Sequence, residues 1–145
     1  MTEPALSGPR TEPKRPPRVL VADDSAEQRW TLRLALSMMG FEVHEAADGR
    51  ELFWALEGLS HKANIEPELV IADVYMPAYN GLDVLAAWTE ATPQHPLIVI
   101  TAFPDDVLTK RVAELGATLL PKPFTLAELS RSVRQALHKA RRPAC

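Results

Sequence analysis

Leu69-Val-Ile-Ala-Asp73 is the stretch that decides how this chain folds. A short apolar run without polar alternation reads as a strand buried on both faces, the kind found in a parallel sheet covered by helices. This one ends in a carboxylate. The same plan recurs in Arg18-Val-Leu-Val-Ala22, which runs into Asp23-Asp24. It recurs in Leu97-Ile-Val-Ile100, which runs into Thr101, and in Ala117-Thr-Leu-Leu-Pro121, which runs into Lys122. The connections are too long for hairpins, so the strands run parallel through right-handed crossovers. Asp23, Asp24, Asp73, Thr101 and Lys122 then open onto one edge, where open α/β sheets bind ligands.

The segments between the runs carry helical signals. Ser25 with Gln28 has the pattern of a capping box. Trp30, Leu34 and Met38 together with Leu32, Leu36 and Met39 predict a broad apolar face, ended by Gly40. Phe41-Glu-Val-His-Glu45 alternates as a half-buried strand does. Asp48 caps a second helix through Leu52, Phe53, Ala55 and Leu56, and a polar stretch around 61–67 comes next. Leu82, Val84, Leu85 and Trp88 predict a third helix, with Pro93 and Pro96 bracketing its exit. Pro104 and Asp105 start a fourth, bearing Val107, Leu108, Val112 and Leu115 and closed by Gly116. Thr125 with Glu128 caps a fifth, carrying Leu126, Leu129, Val133 and Leu137 and ending in the basic stretch His138–Arg142. Five β/α units predict a flavodoxin-like α/β fold, a doubly wound five-stranded parallel sheet in the order 2-1-3-4-5. Pro121 has no N–H to donate, which suits a fifth strand at an edge.

Composition narrows the functional classes. The chain has 145 residues, 46% of them hydrophobic, which suits one domain with a real core. Its net charge of -3 argues against direct nucleic-acid binding. Its one cysteine, Cys145, can close no internal disulfide, so a reducing cytoplasm is the expected setting. No apolar run reaches the roughly 18 residues of a membrane span, so no membrane association is expected. Residues 1–17 hold Pro4, Pro9, Pro13, Pro16 and Pro17 among polar residues and are expected to be a disordered tail. The folded domain is expected over 18–142, with 143–145 as a short C-terminal tail. His44, His61, His95 and His138 lack metal-ligand spacing and read as surface residues.

Each residue at the shared edge also has an ordinary reading. Asp23 and Asp24 can cap a helix, although Ser25 is the better cap. Asp73 can be a turn residue, Thr101 another cap, and Lys122 a solvated surface lysine. Against this, three carboxylates brought together repel unless a cation neutralises them, and Mg²⁺ prefers a few carboxylate oxygens.

The joint pattern resembles the receiver domain of two-component response regulators. It is carried by Arg18-Val-Leu-Val-Ala-Asp-Asp-Ser25, Leu69-Val-Ile-Ala-Asp-Val-Tyr-Met-Pro77 with Asn80-Gly81, Val99-Ile-Thr-Ala102 and Leu120-Pro-Lys-Pro-Phe124. The resemblance implies that Asp73 is the phosphoacceptor. It implies that Mg²⁺ is held by Asp24 directly, by Asp23 through water, by Asp73, and by the backbone carbonyl of Tyr75. Thr101, with Ala102, and Lys122 match the phosphoryl-binding and switch positions, and the Lys122–Pro123 bond is implied to be cis. Asp73 would act as a carboxylate nucleophile and carry a labile acyl phosphate.

Three positions depart from the family pattern. Leu119 stands where a switching Tyr or Phe is usual, so Thr101 and backbone shifts, with Phe103, are expected to take over. Tyr75 and Phe103 flank the phosphoryl position and are both bulky, which predicts hindered water access and a longer-lived phosphoryl group. The implied function is a signalling switch, not an enzyme in the usual sense. The chain would be a stand-alone, chemotaxis-type receiver, phosphorylated by a histidine kinase or histidine phosphotransfer protein. It would bind a downstream protein, or a second copy of itself, through its fourth helix, fifth strand and fifth helix. The alternative is a receiver cut from a longer DNA-binding or enzymatic regulator. A haloacid dehalogenase-type aspartyl-phosphate hydrolase is the weaker reading, because that family wants a second Asp where Tyr75 stands.

Overall fold

The computed structural model describes residues 15–57, 66–93 and 95–141. Most of the expected N-terminal tail, all of the C-terminal one and much of the polar stretch around 61–67 lie outside the described residues. Elements alternate strictly: β1 (Arg18–Ala22), α1 (Ala26–Met38), β2 (Glu42–Ala46), α2 (Gly49–Leu56), β3 (Leu69–Asp73), α3 (Gly81–Ala91), β4 (Leu97–Thr101), α4 (Asp106–Glu114), β5 (Thr118–Pro121) and α5 (Leu126–Arg141). The five strands form one sheet in the order β2-β1-β3-β4-β5. Every neighbouring pair is parallel. This is the doubly wound, flavodoxin-like fold that the alternation predicts.

Strand side chains alternate between two cores, as a period of two requires. Leu20, Ala22, Val70, Ala72, Leu97 and Val99 face Leu52, Leu82, Leu85, Leu108 and Val112 of α2, α3 and α4. Val19, Val21, Leu69, Ile71, Ile98 and Ile100 face Leu32, Leu36, Leu129 and Val133 of α1 and α5. All of β3 is buried because it is the middle strand and covered on both sides.

Helix starts obey the capping chemistry. Ser25 Oγ accepts from the Gln28 N–H, Asp48 from Glu51 and Asp105 from Leu108. Thr125 and Glu128 close a reciprocal box, each side chain accepting from the other's backbone N–H. Asp105 therefore caps α4, and the cap reading of Thr101 is overturned.

Three expectations need correction. The broad face on α1 narrows to one stripe: Leu32 and Leu36 are buried, whereas Trp30, Leu34 and Met38 are 59%, 48% and 79% exposed. A helix laid on one face of a sheet buries only the line that touches it. The second and fifth strands begin one residue later than predicted, for one shared reason. The Phe41 N–H donates to the Leu36 carbonyl and the Ala117 N–H to the Val112 carbonyl, each past a glycine of positive φ. Both residues thus belong to helix-terminating motifs, and the sheet takes over only from Glu42 and Thr118. Finally, His95 is not a plain surface residue. Its ring packs edge to face on Trp88 at 4.6 Å, and its Nε2 is buried without a partner among the described residues.

Candidate functional site

Sheet register places the acids. Ala22 pairs with Ala72 across β1 and β3, so Asp23, just past β1, and Asp73, the last residue of β3, stand side by side. Thr101 pairs with Pro121 across β4 and β5, which puts Lys122 one residue beyond the edge. The Lys122 N–H donates to the Thr101 carbonyl at 2.8 Å, and the Lys122–Pro123 peptide is cis.

The centre of the site is a lysine held between two buried carboxylates. Lys122 Nζ stands 2.5 Å from Asp73 Oδ2 and 3.3 Å from Asp23 Oδ2. Asp23 is only 1% exposed and Asp73 5%. The other oxygen of each acid accepts a local backbone N–H: Asp23 Oδ1 from Ser25 and Asp73 Oδ1 from Tyr75, both at 2.9 Å. Burial pushes the Asp23 carboxyl up, the Ser25 N–H and Lys122 pull it down, Asp73 pushes it further up, and the balance is a raised pKa. Burial pulls the Lys122 ammonium down, but the two acids outweigh it and hold it above its ordinary value. The surface-lysine reading of Lys122 is therefore overturned.

The remaining predicted residues sit around this centre. Thr101 is fully buried, and its hydroxyl accepts from the Phe103 N–H at 3.0 Å. Ala102 is exposed just past it. Asp24 is exposed, and among the described residues no three His, Cys, Asp or Glu side chains stand as a ready metal cluster. Lys122 offsets only part of the charge of the two inner acids, and Asp24 is exposed beside them. Tyr75 and Phe103 meet edge to face, with ring centroids 6.5 Å apart. Leu119 is half-buried and packs against the core shared with α4, so no ring can swing at that position.

A divalent cation suits this donor set. Two buried carboxylates against one ammonium leave a net negative charge in a poorly hydrated place, and the raised pKa of Asp23 reports that cost. Hard oxygen donors next to such a charge are what Mg²⁺ takes.

The response regulator receiver domain model matches residues 19–134. The chain belongs to that family. It is thus a receiver domain of the two-component type, a fold that works as a signalling switch. It is 39% identical over 127 residues to the response regulator MprA of Mycobacterium sp. strain KMS, covering 86% of this chain and 52% of the relative. The receiver thus spans about half the length of the curated relatives it matches. Among solved structures it resembles the chemotaxis protein CheY4 of Vibrio cholerae, with a TM-score of 0.73, 27% identity, and 83% and 98% of the two chains covered. It also resembles the signal receiver domain of an HD domain-containing protein from Pseudomonas fluorescens Pf-5, with a TM-score of 0.74, 27% identity, and 87% and 98% covered.

Sequence reasoning missed two charged residues beside the receiver's acids. Arg29 Nη1 donates to the Asp23 carbonyl at 2.7 Å, and its Nε donates to Glu45 Oε1 at 2.9 Å. A signal was there: Arg29 and Arg33 lie one turn apart on α1, and like charges so placed repel unless a carboxylate sits between them. No helix among the described residues is long and apolar enough to cross a membrane.

Proposed function

We propose that this receiver is a phosphorylation-dependent switch in which Asp73 accepts a phosphoryl group from a histidine kinase or a histidine phosphotransfer protein. The observation that carries the reading is the buried Asp73 carboxylate at the end of the central strand, in contact with a lysine that also reaches Asp23. An Asp73 oxygen attacks phosphorus in line, the phosphorus–donor bond breaks, and the donor leaves with the electron pair. Lys122 carries positive charge to the oxygens of the transferring group, and Thr101 offers its hydroxyl for a hydrogen bond. Asp23, Asp24, Asp73 and the Tyr75 carbonyl would hold Mg²⁺, which supplies neutralisation of acid and phosphoryl charge. The product is an acyl phosphate on Asp73, labile in water, so the signal decays.

The added charge, about -1 to -2, competes for Lys122, which now binds two carboxylates. Lys122 and Thr101 are joined through their backbones, so the change passes into β4, β5 and α4. Leu119 offers no aromatic rotamer change, so backbone movement around Thr101, with Phe103, would carry the signal. A downstream protein, or a second copy, would read it on α4, β5 and α5. The setting would be cytoplasmic, with no membrane or direct nucleic-acid contact. A second reading, a receiver belonging to a longer regulator, is favoured by one observation: about half the length of the MprA relatives has no counterpart in this chain.

The deciding experiment treats the protein with a small acyl-phosphate donor and Mg²⁺. One base-labile phosphoryl group per chain is expected, absent in Asp73→Asn. No uptake, or equal uptake by the variant, refutes the reading.

A further inference from the structure

Asp23 is gripped through its backbone as well as its side chain. Its N–H donates to the Ala46 carbonyl on β2 at 3.1 Å. Its carbonyl accepts Arg29 Nη1 at 2.7 Å, while Nε of the same guanidinium bonds Glu45 Oε1 at 2.9 Å. Glu45 is fixed in turn, because Arg33 Nε bonds its other oxygen at 2.6 Å and Arg33 Nη2 reaches the Val43 carbonyl at 3.2 Å. The Arg29 side chain is largely buried. A planar fork held by a carboxylate on one side has little freedom on the other. The Asp23 carbonyl and the Asp24 N–H share one rigid peptide plane. Orienting that carbonyl therefore fixes where the Asp24 Cα lies and the N–Cα axis about which its side chain turns.

We propose that Arg29, oriented by Glu45, is a positioning residue that fixes the Asp23–Asp24 peptide and so presents both carboxylates to a divalent cation. The proposal rests on the magnesium reading above. The simpler role, tying α1 to β2, needs only the Arg29–Glu45 and Arg33–Glu45 bonds. The bond to the Asp23 carbonyl adds nothing to that tie. Charge separates the two roles by sign. Arg29 is a cation beside a cation site, so through space its removal strengthens Mg²⁺ binding. Loss of positioning weakens it.

The test is calorimetric titration of the unphosphorylated full chain with Mg²⁺, with thermal unfolding monitored in parallel. Wild type, Arg29→Ala and Arg33→Ala are compared. Arg29→Ala is expected to weaken Mg²⁺ binding about tenfold, the usual penalty for losing a group that orients a metal ligand. Arg33→Ala removes the same charge but leaves the grip on Asp23, and its affinity is expected not to fall. Arg29→Lys serves if Arg29→Ala fails to fold. One ammonium cannot hold the Asp23 carbonyl and Glu45 in the same fork geometry, so weakened binding is again expected. Arg29 variants that bind Mg²⁺ as tightly as wild type, or more tightly, overturn the proposal while the magnesium reading stands. A wild type that binds no Mg²⁺ overturns both.

Discussion

Tyr75 and Phe103 each stand two residues beyond a residue of the proposed site, Asp73 and Thr101, and their rings meet edge to face with planes at 67°. Both are largely exposed, so the pair is not core packing. An aromatic pair of this kind is worth about 0.5–1.5 kcal/mol, enough to hold two rings together at a surface. Paired rings beside the acyl phosphate would keep attacking water away. Replacing both by alanine is expected to shorten the phosphoryl lifetime at least about threefold, which needs under about 1 kcal/mol of barrier. Loss of the label after removal of the donor measures this, and an unchanged lifetime confines the pair to loop packing. At this scale the sequence offers candidate side chains but not who holds whom. The Lys122–Asp23 pair spans 99 positions, and no local pattern encodes it. The Arg29–Arg33 spacing hints at a carboxylate between them but not at the Asp23 carbonyl that Arg29 also holds.

At the scale of elements, the β3–α3 loop beside the site is tightly constrained. A Cβ at Gly81 would overlap the Asp73 carbonyl oxygen and crowd the Met76 methyl. The Gly81 N–H donates to the Val74 carbonyl, which keeps the start of α3 against the end of β3. Gly81→Ala is expected to cost about 2 kcal/mol, roughly 6 °C in Tm, and to slow phosphorylation by displacing the Asp73 backbone. Ala78 in the same loop has φ +76, where an L residue is strained. Ala78→Gly relieves about 1 kcal/mol of strain but frees the unfolded chain, so a gain near 0.5 kcal/mol is expected. Calorimetric unfolding of the two variants checks both signs. Elements were legible where chemistry is local, as with the Ser25, Asp48, Asp105 and Thr125 caps. Buried strands were legible from their unbroken apolar runs. The α1 face was not. Trp30, Leu34 and Met38 keep a helical spacing as good as that of Leu32 and Leu36, and only the sheet beneath decides which line is covered.

For the whole molecule, stability depends on charge that the fold itself has buried. Burial holds the His95 imidazole below its ordinary value of 6.5, against the opposing pull of the Pro67 carbonyl and Glu68. The unfolded chain therefore takes up this proton first as the pH falls. The contribution is fully present above pH 6.5 and is lost as the pH falls from there through the lowered folded value. Glu45 is desolvated, but Arg33 and Arg29 outweigh that and hold it below its ordinary 4.5, so its contribution is lost only under more acid conditions. His95→Gln is expected to flatten the decline in unfolding free energy between pH 7 and pH 5 and to leave the steeper acid limb in place. A variant as pH-sensitive as wild type over that interval excludes His95 as the source. Asp23 has the opposite sign, since its raised pKa means that the folded state suffers from its charge at neutral pH. A bound cation removes that penalty without acid. Mg²⁺ at ten times its dissociation constant is expected to stabilise the wild type by about 1.4 kcal/mol, roughly 4 °C in Tm. A chelator should reverse the shift, and Asp24→Asn should abolish most of it while still folding, because Asp24 is exposed and its side chain supports no core contact. An Asp24→Asn shift as large as the wild-type one would place the cation elsewhere on the molecule, and the reading of the acidic edge as its seat would fall.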